Sequence, residues 1–257
     1  MIHPTAIIDP DARLGRDVRV GPYSVIGAGV EIGDGTDIAS HVVIEGPTSI
    51  GKQNKIYQFA SLGADPQDKK YAGEPTRLEI GDRNTIREFV TFNRGTVQDG
   101  GVTKIGNDNW IMAYVHLAHD VSIANHCILA NNASLAGHAS MDDYAILGGF
   151  TLVHQFCRIG AHAFTAFSTR VHKDIPPYVM AHGEEGSARG LNFEGLKRRG
   201  FSKEAVSALK KCYMSLYGRK KLPLDEALQF MQPFADEFSE VQYFAEFIKG
   251  TERGITR

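Results

Sequence analysis

Residues 115–120 read Val-His-Leu-Ala-His-Asp, which gathers His116, His119 and Asp120 into six positions. Steps of 18 residues lead from His119 to Gly137 and Gln155, and from Asp120 to His138, while His154 adjoins Gln155. An imidazole titrates near neutrality and a neighbouring carboxylate can orient it, so a His-Asp pair suits general-base catalysis. Converging histidines equally suit a divalent metal such as zinc. No carboxylate-rich shell and no close cysteine pair accompanies them here. Cys127, Cys157 and Cys212 stand far apart and read as reduced thiols. The residues themselves therefore favour a base over a metal.

A repeat must position them. From Ile2, every sixth residue is aliphatic through Ile8, Leu14, Val20 and onward to Leu62, and the pattern returns at Ile80, Ile86 and Phe92. It runs again from Ile105 to Ile159. Four residues after each anchor the chain is small or β-branched, as at Val18, Val30, Val115, Cys127, Ala133 and Ala145. Two inward positions in every six describe very short strands joined by tight corners, the signature of a parallel β-helix. The pattern resembles the hexapeptide-repeat proteins, in which three hexapeptides make each 18-residue coil, and that implies about ten coils at roughly 4.8 Å in a prism near 48 Å long. Glycine often follows the anchor, and we expect the chain to bend there. Relative to the anchors, His119 and Asp120 take corner positions and His116 an outward strand position, so none should face the core. His126, Tyr144 and His162 form a second column on another edge, read as structural or as lying near a subunit contact.

Two polar segments, 63–77 and 95–104, break the repeat and should leave the prism as loops. After Pro176-Pro177 the repeat fades and helical periodicity follows, with Ser202 as an N-cap and Gly218 as a stop. The expected domains are thus a β-helix over 1–186 and a helical region over 187–257.

A net charge of −2 argues against a dedicated nucleic-acid binder. The charge is unevenly spread, however. From Ser187 onward there are 13 Lys/Arg against 9 Asp/Glu, whereas residues 1–186 hold 15 and 21. A basic tail on an acidic body fits an anionic partner, or equally a solvated helical face. No leader pattern and no apolar run approaching the roughly 18 residues of a membrane span is present, so we expect a cytoplasmic location.

The segments QDKKYAGEPTRLEIGDRN, NRGTV, AHDVSIANHCILANNASLAGH, VHQFCRIGAH, PPYV and GLNFEGLKRRGFS cover most of the chain. Together they resemble the UDP-N-acetylglucosamine O-acyltransferases of lipid A biosynthesis, within the hexapeptide-repeat acyltransferases. The resemblance implies a left-handed β-helix, a homotrimer with sites between subunits, and no cofactor. It implies transfer of a 3-hydroxyacyl chain from acyl carrier protein to the sugar 3-hydroxyl of UDP-N-acetylglucosamine. His119 would be the general base oriented by Asp120, and the Gly137 backbone N–H would hold the oxyanion. Asp68, Lys70, His116 and His138 would contact sugar or acyl groups, and His154 would join them. Gln155, Asn192, Glu194, Arg198 and Arg199 would meet the nucleotide and diphosphate. Two positions depart from the family pattern: Asn93 replaces a histidine, and Phe167 replaces a glycine that acts as the hydrocarbon ruler, which implies a shorter acyl chain. The related N-acyltransferases carry a uridine-binding domain ahead of their repeats, for which a repeat starting at Ile2 leaves no room. A zinc hydratase on the same fold would instead require bound metal.

Overall fold

The computed structural model describes all 257 residues. Strands of two to four residues assemble into three parallel sheets, and each sheet takes every third strand in order. Face 1 runs from Ile7–Ile8 to Arg170–Val171 with nine strands, and face 2 from Arg13–Leu14 to Arg158–Ile159 with eight. Face 3 runs from Arg19–Val20 to Phe164–Thr165 with eight. The expected β-helix is this three-sided prism.

Its core follows the two inward positions. Ile26, Ile44, Ile111, Leu117, Leu129 and Leu135 are fully buried, as are Val30, Val42, Val115, Cys127 and Ala133 four residues after an anchor. Burying one such Leu or Ile is worth ~1.5–3 kcal/mol, and the anchors recur in every coil. Burial pushes the Cys127 thiol up to about 12 and those of Cys157 and Cys212 to about 11, so these are inert core groups.

The corners differ from the expectation built on glycine. The left-handed backbone falls three residues after the anchor, on residues such as Asp17, Tyr23, His41, Asp120, His138 and Tyr144, all with φ between 57° and 63°. Asn, Asp and His tolerate that region better than most residues, and the stacked coils hold the rest in it. Glycine directly after the anchor answers to crowding instead. A Cβ on Gly33 would lie 2.7 Å from the Gly51 carbonyl carbon, and one on Gly148 would lie 2.6 Å from the Thr165 oxygen. The next coil stacks too closely there for any side chain.

Both insertions leave from the corner between faces 1 and 2. Strand Ser61–Ala64 leads into the first, and Arg77–Ile80 ends it. The second is shorter than expected: Val102–Ile105 is already a strand paired in register with Arg77–Ile80, so the loop proper ends at Gly101. Beyond the prism, Val179–His182 and Ser187–Leu191 form an antiparallel hairpin that extends face 3, placing residue 187 inside a strand. Helices follow as α1 (Phe193–Arg198), α2 (Lys203–Tyr217), α3 (Leu224–Glu237) and α4 (Ser239–Lys249). Ser202 caps α2 by accepting from the Ala205 N–H at 3.0 Å. The tail then returns to the prism, where Asp174 bridges to Ile255.

Candidate active site

The corner between faces 1 and 2 carries the chemistry. Five successive coils present there the loop after Ala64, the loop after Arg94, His119-Asp120, Gly137-His138 and Gln155-Phe156. Register fixes this stacking: Leu62 pairs with Phe92, Phe92 with Leu117, Leu117 with Leu135, and Leu135 with Val153.

His119 Nδ1 lies 2.8 Å from Asp120 Oδ2. An ionised carboxylate only accepts, so this nitrogen carries the proton, and Nε2 makes no bond within the chain. Asp120 points outward as expected, yet it is only 6 % exposed. The cause is the second loop. The Thr96 backbone N–H donates to Oδ1 at 2.7 Å and its hydroxyl to Oδ2 at 2.6 Å, while the Asp120 N–H donates to Thr103 Oγ1 at 2.8 Å. Thr96 lies in the second loop and Thr103 on the strand Val102–Ile105 that follows it; neither belongs to the spaced histidine pattern, and only their place in the segment ahead of this coil could have pointed to them.

Gly137 lies directly over the base. A Cβ on it would sit 2.5 Å from His119 Cε1. Its N–H has no hydrogen-bond partner within the chain. At the corner between faces 2 and 3, the equivalent N–H groups of Lys52, Asp82, Asn107 and Asn125 are each taken by an Asp or Asn side chain of the following coil. Beyond Gly137 that position holds Gln155, which makes no such bond. The corner therefore offers an unspent buried donor next to an oriented imidazole.

His138 stacks on Phe156, with centroids 4.4 Å apart, and meets His119 edge-on at 5.1 Å. His119, Asp120 and His138 offer donor atoms within 4.8 Å of one another, a spacing that a metal could span. However, Asp120 already spends both oxygens on Thr96 and His119, so the arrangement reads as an oriented base rather than an open cage. His116 sits on the outer surface of face 1, where Nδ1 is 2.7 Å from Thr91 Oγ1, and burial holds its imidazole below the ordinary range. His154 and Gln155 are exposed on the same corner.

The first loop is clamped from below by Arg94, itself 7 % exposed. Its guanidinium donates to the Gly63 carbonyl at 2.5 Å, to Tyr71 Oη at 3.2 Å, and to the Asp65 carboxylate. Asn93 is buried too, with its amide nitrogen on the Asp65 carbonyl at 2.7 Å. This base holds Asp68 and Lys70 at the corner, where the Lys70 N–H donates to Asp68 Oδ1 at 3.0 Å.

The remaining expected site residues lie elsewhere on the prism. Asn192 caps α1 through the Gly195 N–H and donates to the His162 carbonyl at 3.0 Å, while the Arg199 guanidinium covers the Tyr144 ring at 4.2 Å. These mark the corner between faces 2 and 3, with Glu194 and Arg198 exposed on the same short helix. Phe167 stands at the corner between faces 3 and 1, against Gly149 and edge-on to Phe150 at 5.4 Å. The filled prism core separates the three corners.

A three-sided coil of hexapeptides with an oriented histidine at one corner defines a hexapeptide-repeat transferase. The bacterial transferase hexapeptide family matches residues 11–46 and 103–137, and the family described as UDP-N-acetylglucosamine O-acyltransferase, domain 2, matches 174–256. The Thiobacillus denitrificans acyl-[acyl-carrier-protein]–UDP-N-acetylglucosamine O-acyltransferase is 62 % identical, covering 100 % of this chain and 99 % of its own. The like-named protein of Stutzerimonas stutzeri is 58 % identical with the same coverage. The structure of the Francisella novicida UDP-N-acetylglucosamine acyltransferase superposes with a TM-score of 0.97 at 44 % identity, covering 100 % of this chain and 94 % of that one. That of Campylobacter jejuni gives 0.94 at 37 %, with 100 % and 99 % covered. The chain belongs to the acyl-[acyl-carrier-protein]–UDP-N-acetylglucosamine O-acyltransferases. No helix is long and apolar enough to cross a membrane.

Proposed function

We propose that this chain moves a 3-hydroxyacyl group from acyl carrier protein to the 3-hydroxyl of UDP-N-acetylglucosamine, the opening step of lipid A biosynthesis. His119 Nε2 takes the hydroxyl proton as the sugar oxygen attacks the thioester carbonyl. The carbonyl oxygen becomes negative as the new C–O bond forms, and the unpaired Gly137 N–H donates to it. Collapse breaks the C–S bond, and the proton on His119 passes to the departing thiolate. Asp120 keeps Nδ1 protonated throughout. One observation carries this reading: a free Nε2 and a free backbone donor share one corner, with the opposite ring nitrogen fixed by a buried carboxylate.

His119→Ala is expected to lower kcat by roughly 10²–10⁴, the usual share of a positioned base, with the fold retained. Residual turnover within a few-fold of wild type would remove His119 from that role. Asp68, Lys70, His138 and His154 line the same corner, with His116 on the adjoining outer surface of face 1, and are proposed to contact the sugar and acyl groups, while Gln155 beside them is proposed to meet the nucleotide and diphosphate.

A homotrimer accounts for the other residues. Asn192, Glu194, Arg198 and Arg199 on one corner, and Phe167 on another, reach a single substrate only if prisms lie side by side. Arginines suit the diphosphate oxygens, and the basic tail suits an acidic carrier protein. Phe167, 70 % exposed, would close the acyl groove of a neighbouring copy. A length series of 3-hydroxyacyl carrier proteins, offered in competition and read by mass spectrometry, tests this. The wild type should prefer a short chain and Phe167→Gly a longer one, since pocket discrimination runs about 10–200-fold per methylene. An unchanged preference would discard Phe167 as the stop.

A further inference from the structure

The loop from Gly95 to Gly101 reaches His119 by way of Asp120, and His138 through its own Asp99. Gly100 and Gly101, with φ of 76° and 75°, turn the chain back so that Thr96 and Asp99 face the same coils. Thr96 fixes Asp120, as described above. Asp99 Oδ2 lies 2.8 Å from His138 Nδ1. A carboxylate accepts, so the proton of this bond sits on Nδ1.

The other nitrogen explains why that matters. His138 Nε2 lies 3.7 Å from Asp120 Oδ2. That oxygen already accepts from His119 Nδ1 at 2.8 Å and from the Thr96 hydroxyl at 2.6 Å. The plane of the His138 ring is held between neighbours, stacked within 6° of parallel on Phe156 and nearly perpendicular to the His119 ring. A neutral imidazole carries one ring proton. On Nδ1 that proton is engaged by Asp99. On Nε2 it would point at Asp120 and contend with His119 for the same oxygen.

We propose that Asp99 is a positioning residue for acyl transfer: by holding the His138 proton on Nδ1, it keeps His138 from competing with His119 for the Asp120 carboxylate. This rests on His119 being the base and adds a second carboxylate–histidine pair, supplied by an insertion rather than by the repeat. The Asp99 side chain is 60 % exposed, so its bond contributes little to stability. Choosing between two nitrogens of one ring needs only a small preference.

The test uses the full chain labelled with ¹⁵N-histidine, together with acyl-transfer kinetics. Asp99→Ala should move the His138 ring-nitrogen signals from the Nδ1–H to the Nε2–H form. It should also lower kcat about tenfold, the scale of losing one hydrogen bond to a charged group, with KM little changed. Asp99→Asn, whose amide oxygen still accepts, should recover most of both. In a His138→Phe background, Asp99→Ala should change nothing further. Unmoved His138 signals in Asp99→Ala, or an equal loss of turnover in the His138→Phe background, would overturn the proposal while leaving His119 as the base. An active His119→Ala would overturn both.

Discussion

His119 lies flat against Gly137, and that contact leaves no room for a methyl group. A Cβ at Gly137 would press on Cε1 at 2.5 Å, and the ring would swing off Asp120. Gly137→Ala should therefore cost on the order of 10²-fold in kcat/KM, as misplacement of a reacting group by an ångström does. Its melting temperature should stay close to wild type, because the clash is with a movable ring rather than with backbone. A variant that keeps full turnover would show that the corner tolerates a displaced imidazole. At this scale His119, Asp120 and His138 were legible as neighbours from their 18-residue spacing. Thr96 and Asp99 were not, because an insertion carries no register from which its side-chain contacts can be counted.

Each coil edge is an element with its own side-chain column, and the columns do different work. On the edge between faces 2 and 3, His126, Tyr144 and His162 stack at 4.7 and 4.9 Å, and His162 continues to Tyr178 at 5.8 Å. Burial, helped by the nearby Arg199 charge, pushes the His162 imidazole down to about 4. The unfolded chain then binds a proton between pH 6.5 and 4 that the folded chain does not, so stability rises with pH across that window. It is fully present above about 6.5, the ordinary histidine value, and is lost as pH falls toward 4. Thermal unfolding measured from pH 7 to pH 5 should show a melting temperature that falls with acidification. His162→Phe, which keeps the stack without a titrating nitrogen, should fall less steeply; parallel curves would mean that His162 does not drive the acid loss. The column was readable from sequence, but its structural character came from the residues packed on it, Arg199 and Phe201 among them.

At the scale of the whole molecule, the expected site residues divide among the three edges of the prism. The base stands on one corner, the arginines on a second and Phe167 on the third, with a solid core between. If sites form between subunits, two inactive variants should rescue each other. His119→Ala and Arg199→Ala proteins, unfolded and refolded together, should regain turnover that neither shows alone. Failure to regain any, with mixed oligomers present, would place both residues in a site built from a single subunit.

The amino-acid sequence by itself determined a coil of short strands, because a period of six with two inward positions demands brief strands joined by tight corners, and the family resemblance supplied three strands to each coil. It also determined which residues share an edge, since 18-residue spacing survives wherever the repeat is unbroken. Tertiary structure decided what lies across the two breaks, where Leu62 to Phe92 and Phe92 to Leu117 still pair although 30 and 25 residues apart. It also decided that Asp120, outward by register, is buried beneath the second loop. The physical reason is the same in both cases. Hydrophobic periodicity encodes what faces the core, whereas a loop folding over a corner is held by hydrogen bonds between polar side chains, and their partners leave no periodic trace in the chain.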